Sequence, residues 1–291
     1  MLPDAIGARK KELPMTRGDT AAPAPRVGLF VTCLVNAMRP RTGFAALKLL
    51  EDAGFQVDVP AGQTCCGQPN YNSGDREGAR ALAARMVAMF ADHDYVVAPS
   101  GSCAAMIRVH FPRLFDADDP LRPDIDALAA KTHELVSFLT GIAGMEGVAA
   151  RFEGEVTYHD ACSGLRELGI KSQPRRLLES IPGLALKEMQ DAEVCCGFGG
   201  LFCVKYPDIS GEMVRKKTDE IVATGAAVLA AGDIGCLLNM EGALSRRGAK
   251  TRVCHVAEIL AGMADEPPAT GGGEDHVGAG EGVSAGEGGN E

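Results

Sequence analysis

The sequence predicts an α/β protein made of two internally duplicated α/β subdomains, each a mainly parallel sheet flanked by helices, related by a pseudo-twofold axis. One basis for this prediction is the alternation of short apolar runs with segments of helical period, which is typical of parallel sheets covered on both faces. The other basis is a repeated cysteine pattern, in which each cysteine of a first set has a counterpart in a second: Cys33, Cys65, Cys66 and Cys103 correspond to Cys162, Cys195, Cys196 and Cys236.

The two cysteine sets keep nearly the same register. The offset between them is 129 residues at the first cysteine (162 − 33), 130 at the doublet (195 − 65) and 133 at the last cysteine (236 − 103). Chance placement of the ten cysteines in the chain would rarely reproduce four positions so closely. Because a fixed period indicates a structural repeat, we infer an internal duplication.

In the first half, three apolar runs predict buried strands at residues 26–32, 55–59 and 95–98. Helical periodicity predicts the elements that lie between and after these strands. They are a helix from residue 41 that Gly54 stops, a helix over 74–93 capped by Asn72 or Ser73, a helix opened by the turn 99–103, and a helix over 124–139.

The second half repeats this order. Its predicted strands lie at residues 155–159, 184–189, 226–230 and 251–255, and its predicted helices at 173–180, 209–224, 237–246 and 256–263. The chain therefore divides into five predicted segments: a disordered extension (1–25), a first cysteine-rich domain (26–140), a linker (141–154), a second cysteine-rich domain (155–263) and a disordered, acidic, glycine-rich tail (264–291).

Charge and composition argue against several classes of protein. The net charge is −10, but residues 264–291 carry seven acids and no lysine or arginine, so the rest of the chain is near −3. No basic patch suggests a nucleic-acid partner, and no apolar run approaches the ~18 residues of a membrane span. The first 25 residues lack the apolar core of a signal peptide. We therefore expect a cytoplasmic protein whose reduced cysteines serve metal or redox chemistry.

Each cysteine doublet is followed by glycine, and this arrangement favours one shared site for both sulfurs. Neighbouring side chains on an extended strand point to opposite faces, so the backbone must bend at the doublet. Gly67, Gly197 and Gly199 permit that bend and are predicted to line a cofactor. A disulfide within a doublet is disfavoured, because adjacent Cα atoms are only ~3.8 Å apart.

Four cysteines in each half, at the carboxyl ends of predicted strands, form a predicted set of metal ligands. Zinc and an iron–sulfur cluster both accept four thiolates. The short C-x-x-C knuckles typical of structural zinc do not occur in the sequence. Ligands spread over three strand ends, with a glycine-rich rim, favour one iron–sulfur cluster in each half, while zinc and metal-free thiol chemistry remain alternatives.

Three further residues lie close to these motifs in the sequence. His159, three residues before Cys162, is a candidate donor to a cluster sulfur and also the one candidate catalytic residue, as a proton carrier. The alternative is a strand-end histidine whose ring is satisfied by the backbone. Cys203 has no counterpart in the first half and Cys254 lies within a predicted strand, so neither is predicted to be a ligand.

These motifs resemble the duplicated cysteine-rich (CCG) domain found in heterodisulfide reductase and in the iron–sulfur subunit of glycolate oxidase. The resemblance is closer to the lactate utilization protein A family and spans about residues 26–263. It is carried by the segments 30–33, 65–69, 99–103, 158–160, 195–200, 209–214 and 236–239.

The resemblance implies an iron–sulfur electron-transfer subunit, not active alone, of a multi-protein system that oxidises L-lactate to pyruvate. It also implies two [4Fe–4S] clusters and companion lactate-utilization proteins, one of them a ferredoxin-type iron–sulfur protein. A glycolate-type or heterodisulfide-type oxidoreductase subunit is one alternative, and a zinc-stabilised interaction protein is another. Heterodisulfide reductases carry a fifth cysteine in each half. Ser100 and Asp233 occupy those positions here, so the type of cluster stays open.

Overall fold

The computed structural model of the protein describes residues 24–264. The predicted extension (1–25) and acidic tail (264–291) therefore fall almost entirely outside the described residues. Within these residues the chain forms two four-stranded sheets, and every strand pairing in both sheets is parallel. The predicted α/β class with two duplicated subdomains is confirmed.

The first half contains one sheet and seven helices among the described residues. Its strands, in the spatial order β2-β1-β3-β4, are β1 (Arg26–Leu29), β2 (Gln56–Asp58), β3 (Tyr95–Ala98) and β4 (Thr132–Glu134). Its helices are α1 (Cys33–Met38), α2 (Pro40–Asp52), α3 (Gln68–Ser73), α4 (Arg76–Phe90), α5 (Gly101–Ala105), α6 (Arg122–Lys131) and α7 (Leu135–Gly141). A π-helical turn (Met106–His110) and a 3₁₀ turn (Pro112–Leu114) follow α5.

The second half repeats this topology with the strand order β6-β5-β7-β8. Its strands are β5 (Gly154–His159), β6 (Leu184–Leu186), β7 (Val228–Ala231) and β8 (Arg252–His255). Its helices are α8 (Cys162–Leu168), α9 (Ser172–Glu179), α10 (Phe202–Lys205), α11 (Pro207–Ala223), α12 (Ile234–Arg246) and α13 (Val256–Leu260).

The prediction of a single helix over residues 124–139 is wrong, because a short strand divides this segment into two helices. Thr132 leaves the helical conformation at the end of α6, and its hydroxyl donates to the Leu128 carbonyl oxygen at 2.8 Å. Glu134 then caps α7 by accepting from the Ser137 N–H at 2.9 Å. Between these two residues the chain pairs with β3 to form β4. Tertiary pairing thus overrides local helical periodicity at this point.

The predicted cap of the long helix at Asn72 or Ser73 is also wrong. Both residues belong to α3, a short polar helix that has no apolar stripe and that the sequence analysis did not predict. The cap of α4 is Asp75, whose Oδ1 accepts from the Gly78 N–H at 2.9 Å. The chain therefore makes one extra helical turn between the first cysteine doublet and α4.

Contacts between the two halves are reciprocal, as a pseudo-twofold axis requires. Helix α1 packs on α12 while α5 packs on α8, and α2 packs on α13 while α7 packs on α9. Ser100 and Asp233 occupy equivalent positions in the two halves and contact each other, with 3.0 Å between Ser100 Oγ and Asp233 Oδ2. Because equivalent residues meet only near a symmetry axis, this pair marks the pseudo-twofold axis.

The buried apolar residues form three clusters. The central core lies between the halves and includes strand and helix residues from both of them, such as Leu29, Phe138, Tyr158, Val228 and Leu260. Two outer cores lie on the far faces of the sheets, and each contains cysteines of one set. Each fully buried large side chain stabilises the fold by ~1.5–3 kcal/mol, so the shared central core stabilises the contact between the halves.

The segment predicted as a linker packs against the protein. Residues 142–153 form neither helix nor strand. Phe152 is nevertheless buried, and Met145, Val148 and Ala150 pack partly against the central core. The predicted domain boundaries at either end of this segment remain predictions. None of the helices in the described part of the chain combines the length and the apolar character needed to cross a membrane.

We expect Gly101→Ala to destabilise the protein by about 1–3 kcal/mol, because overpacking at a close helix contact costs this much. A Cβ atom at Gly101 would lie 3.0 Å from the Gly164 Cα atom, and backbone atoms of α8 cannot move aside cheaply. The measurement is chemical denaturation of the full chain.

Gly211→Ala is the matched control for this substitution. Gly211 lies inside α11, and a Cβ atom there meets nothing within 4 Å. Replacing an exposed helical glycine by alanine should stabilise the protein by roughly 0.5–1 kcal/mol. Equal effects of the two substitutions would contradict the assigned contact between α5 and α8.

Candidate metal centres

The parallel sheets bring the cysteines of each set together. Strands β1 and β3 are neighbours, with Val27 paired to Tyr95, so their carboxyl ends lie side by side. Cys33 begins α1 just after β1, and Cys103 lies in the first turn of α5 just after β3. The loop that carries the first doublet follows β2, on the other side of β1. Three consecutive loops therefore meet at one edge of the sheet, where sites in open α/β sheets are usually found.

In the first set, the sulfurs form a continuous chain of contacts. Cys66 Sγ lies 3.4 Å from Cys103 Sγ. The Cys65 thiol makes hydrogen bonds with Cys33 on one side and with Cys66 on the other. All four predicted ligands of the first half also line one cavity.

The second set shows the same chain of contacts. Cys195 bonds to Cys162 and to Cys196, and Cys196 in turn bonds to Cys236. Cys196 and Cys236 are buried, whereas Cys162 and Cys195 are partly exposed. The eight cysteines singled out from the sequence thus form two equivalent sites, one in each half.

A glycine with positive φ follows each doublet and makes the bend that aims both sulfurs at one site. Gly67 has φ 84° and Gly197 has φ 86°, a conformation that favours glycine. The Gly197 N–H donates to Cys195 Sγ at 3.4 Å. A Cβ atom at Gly197 would lie 2.8 Å from the Ser210 carbonyl oxygen of α11. Gly199, at φ 52°, continues the turn, and the cofactor-lining role of these three glycines remains a prediction.

The first cysteine of each doublet loses its proton most readily. Hydrogen bonds from Cys33 and Cys66, together with backbone N–H groups, lower the pKa of Cys65 to about 2. Hydrogen bonds from Cys162 and Cys196 likewise lower the pKa of Cys195 to about 2. Hydrogen bonds with Cys103 and then Cys65, together with burial, raise the pKa of Cys66. Hydrogen bonds with Cys195 and then Cys236, together with burial, raise that of Cys196. Each set therefore holds at least one thiolate at neutral pH, and a thiolate is the form that binds metals.

His159 ends β5 and lies fully buried beside the second set. One of its ring nitrogens and the sulfurs of Cys196 and Cys236 all lie within 4.8 Å of one another. Neither ring nitrogen has a hydrogen-bond partner among the described residues. Burial and then the nearby Lys217 lower its pKa to about 3, so the ring is neutral at physiological pH. The Ala192 backbone acts on the ring in the opposite direction and raises this pKa, so a histidine held by the backbone remains the alternative to a donor to sulfur.

Lys217 is a residue of this region that the sequence analysis missed. It lies on the buried face of α11, 2% exposed, and donates to the Asp191 carbonyl oxygen. Its ammonium group interacts electrostatically with Cys195, Cys196 and Cys236. The spacing of Val214, Lys217 and Ile221 along one helical face is the signal that could have identified it.

The residues in place of a fifth cysteine connect the two sites. Asp233 Oδ2 accepts from Ser100 Oγ and from the Ser102 N–H, both at 3.0 Å, and its Oδ1 accepts from the Gly235 N–H at 3.1 Å. Ser100 Oγ also accepts from the Cys103 N–H at 3.3 Å. These bonds cap α5 and α12, the helices that carry Cys103 and Cys236.

Both sites open into the interface between the halves. A cavity of about 170 Å³ adjoins the first set, and its lining includes Phe198 and Ile234 from the second half. A cavity of about 230 Å³ adjoins Cys162 and Cys236, and its lining includes Tyr71 from the first half. Ser102, Phe198, Gly200 and Asp233 are among the residues that line both cavities. The two sites are therefore neighbours across the interface.

The remaining candidates lie outside the two sulfur chains. Cys203 Sγ donates to the Gly200 carbonyl oxygen at 3.3 Å, as expected for a residue that is not a ligand. Cys254 lies in β8 within the central core, where burial raises its pKa to about 11. The Asp160 carboxylate forms two 2.9 Å bonds to Arg175, so it is held in an ion pair.

The thiols give each half a donor set suited to a metal ion or an iron–sulfur cluster. Four sulfurs converge in each set, and His159 contributes a buried, unpartnered ring at the second. A model of the family described as the cysteine-rich domain (CCG) matches residues 27–108 and 156–241, and each match contains one complete cysteine set. The chain is therefore a protein of two cysteine-rich domains.

Proteins of a named family align with most of the chain. The lactate utilization protein A of Geobacillus kaustophilus is 46% identical over 235 residues, which is 81% of this chain and 98% of that protein. The lactate utilization protein A of Bacillus subtilis is 43% identical over the same length, with the same coverage. The chain belongs to the lactate utilization protein A family.

A solved structure shares the fold at low sequence identity. A hypothetical protein from Helicobacter pylori matches with a TM-score of 0.59 and 13% identity. The match covers 88% of this chain and 52% of that protein, so this chain spans about half of that protein's length. At this identity the likeness concerns the fold alone.

We expect Asp233→Ala to destabilise the protein by at least about 2 kcal/mol, because leaving one buried donor unpaired costs about 1–3 kcal/mol. This substitution removes the acceptor of three hydrogen bonds, two of them from the other half. Ser100→Ala should cost less, about 1 kcal/mol, because it removes one helix cap, the acceptor of the Cys103 N–H, while the Ser102 and Gly235 N–H groups keep theirs. Urea denaturation measures both, and equal losses would contradict a bridging role for Asp233.

Proposed function

We propose that this protein is a cytoplasmic iron–sulfur electron-transfer subunit of a multi-protein system that oxidises L-lactate to pyruvate. The observation that carries the proposal is the pair of equivalent four-sulfur chains at the carboxyl ends of two parallel sheets. The lactate utilization protein A name of its relatives supports the choice of lactate.

The proposed ligands are the eight paired cysteines, four for each of two [4Fe–4S] clusters: Cys33, Cys65, Cys66 and Cys103, then Cys162, Cys195, Cys196 and Cys236. An iron–sulfur cluster supplies one-electron transfer when it is bound. The chain's own residues shape the site: the glycine turns aim the doublets, and the backbone N–H groups of Gly67 and Gly197 donate to a doublet sulfur. Such donors favour the thiolate form that a cluster requires.

The chemistry of lactate calls for partners. Oxidation of L-lactate to pyruvate releases two electrons and two protons. Some group must therefore take a proton from the hydroxyl oxygen, and some group must take a hydride equivalent from the carbon. In residues 24–264, Asp160 is held by Arg175, and His159 is fully buried with its ring neutral. We infer that companion proteins, including a ferredoxin-type iron–sulfur protein, complete the reaction and accept the electrons.

A zinc-stabilised interaction protein is the second candidate, and one observation favours it. His159, Cys196 and Cys236 place a nitrogen and two sulfurs within 4.8 Å of one another, a donor set that zinc also accepts. Anaerobic purification separates the two candidates. Brown protein with iron and acid-labile sulfide supports the first, and colourless protein with stoichiometric zinc and no sulfide supports the second.

We expect Cys65→Ser and Cys195→Ser each to remove about half of the bound iron, because every thiolate of a four-cysteine set is a ligand. Cys203→Ser is the matched control and should retain all of it, since its sulfur faces the Gly200 carbonyl oxygen. Iron and sulfide are measured per chain after anaerobic purification. Loss of the second site's iron in Cys203→Ser would refute the proposed ligand set.

We expect the purified chain alone to show little lactate-dependent dye reduction, because the oxidation removes a hydride equivalent from carbon and amino-acid side chains do not accept hydride. Adding the companion proteins should raise dye reduction by at least about 100-fold, the lower end of what one catalytic acid–base group contributes. Anaerobic dye assays with and without the companions measure this effect. Rapid lactate oxidation by the iron-loaded chain alone would overturn the proposed division of labour.

A further inference from the structure

The two sites have the same sulfurs but different neighbours. The buried faces of the helices after each doublet show this first. In α4 the buried positions are Ala79, Ala83, Met86 and Phe90, and in α11 residues with the same spacing are buried, namely Ser210, Val214, Lys217 and Ile221. The matching spacing pairs Met86 of the first half with Lys217 of the second.

The glycine turns confirm this alignment. A Cβ atom at Gly67 would face Ala79 and Leu82, and a Cβ atom at Gly197 would face Ser210 and Met213. Both comparisons give the same offset between the helices, 131 residues (210 − 79 and 213 − 82). Lys217 therefore occupies the place that Met86 occupies in the first half.

A second difference between the halves lies at the ends of strands β1 and β5. His159 precedes Cys162 by three residues, and Phe30 precedes Cys33 by three residues. Phe30 and Met86 are buried in the outer core that contains Cys66 and Cys103. The first site is thus bordered at these two positions by apolar side chains. The second is bordered by the His159 imidazole, one of whose ring nitrogens lies within 4.8 Å of the Cys196 and Cys236 sulfurs, and by the ammonium group of Lys217.

We propose that the second half holds the site of higher reduction potential, and that His159 and Lys217 are the positioning residues that set this difference. The inference rests on the proposed iron–sulfur function. Adding an electron makes a cluster more negative, and hydrogen-bond donors and positive charge close to its ligands stabilise that form. Phe30 and Met86 offer neither a donor nor a charge to the first site.

This difference gives the chain a direction for electron transfer. One electron leaves the reduced first site and one electron enters the oxidised second site, with no bond formed and no proton moved. The two sites adjoin across Ser102, Phe198 and Asp233, which line both cavities. A donor of low potential therefore delivers electrons to the first half, and the acceptor collects them from the second.

The Asp233 carboxylate is negatively charged, opposite in sign to Lys217. A negative charge close to a cysteine ligand lowers the reduction potential of that site. Asp233 raises the pKa of Cys162, after larger effects of Cys195, burial and Cys236, and it also raises the pKa of Cys236. Its charge therefore acts on the second set and opposes that of Lys217 there. The three hydrogen bonds that Asp233 accepts, two of them from Ser100 and Ser102 of the first half, partly offset this charge. Lys217 and His159 act on the second set alone.

Potentiometric titration of the iron-loaded full chain, followed by electron paramagnetic resonance, tests the inference. Cys65→Ser isolates the second site and Cys195→Ser isolates the first. The second site is expected to be reduced at the more positive potential. In the Cys65→Ser background, His159→Phe and Lys217→Met should each shift that potential in the negative direction, toward that of the first site. In the Cys195→Ser background, the same substitutions should leave the potential unchanged.

Each substitution has its own check for folding. His159→Gln retains an N–H donor and should shift the potential less than His159→Phe, and Lys217→Arg retains the charge and should do the same relative to Lys217→Met. If Lys217→Met takes up no iron in the second half, two measurements still test the inference. They are the potentials of the His159→Phe and His159→Gln variants and the comparison of the two isolated sites.

Equal potentials at the two sites, or a more positive first site, would overturn the inference. Unchanged potentials in His159→Phe and Lys217→Met would remove these residues as its cause. A chain without iron or sulfide in either half would instead refute the proposed function, so the two failures are distinguishable.

Discussion

The convergence of four sulfurs at the carboxyl ends of parallel strands is the constraint on which each half of this protein depends. Two adjacent cysteines face one site only if the chain turns sharply after them, and Gly67 and Gly197 make that turn with positive φ. The flanking cysteines then need helices that begin directly after neighbouring strands. A parallel sheet supplies this arrangement, because all its strands deliver their loops to the same edge.

The contact between the halves is organised around the same edge. Ser100 and Asp233 meet near the pseudo-twofold axis and cap the helices that carry Cys103 and Cys236. Stability of the interface and placement of the last cysteine in each set are therefore coupled. Duplication preserved the sulfur geometry while the surroundings diverged, since His159 and Lys217 stand where the first half has Phe30 and Met86.

The fold class, the duplication and the eight clustered cysteines could be predicted from the amino-acid sequence. These features follow from local patterns: apolar runs, helical period and a doublet that needs glycine beside it. Strand β3 was predicted to the residue, and β1, β2, β5 and β7 within a few residues. Strand β4 was missed although its counterpart β8 was predicted, so the repeat contained the missing information.

The surroundings of the cysteines, in contrast, follow from long-range packing. Asp160 follows His159 in the chain, yet Arg175 holds it in an ion pair while the imidazole stays unpartnered. Lys217 lies in a helix with several other charged residues, and packing alone places it inside. The bond between Ser100 and Asp233 joins residues 133 positions apart. Such contacts depend on how helices and loops from distant parts of the chain pack together, and local sequence patterns carry no record of that packing.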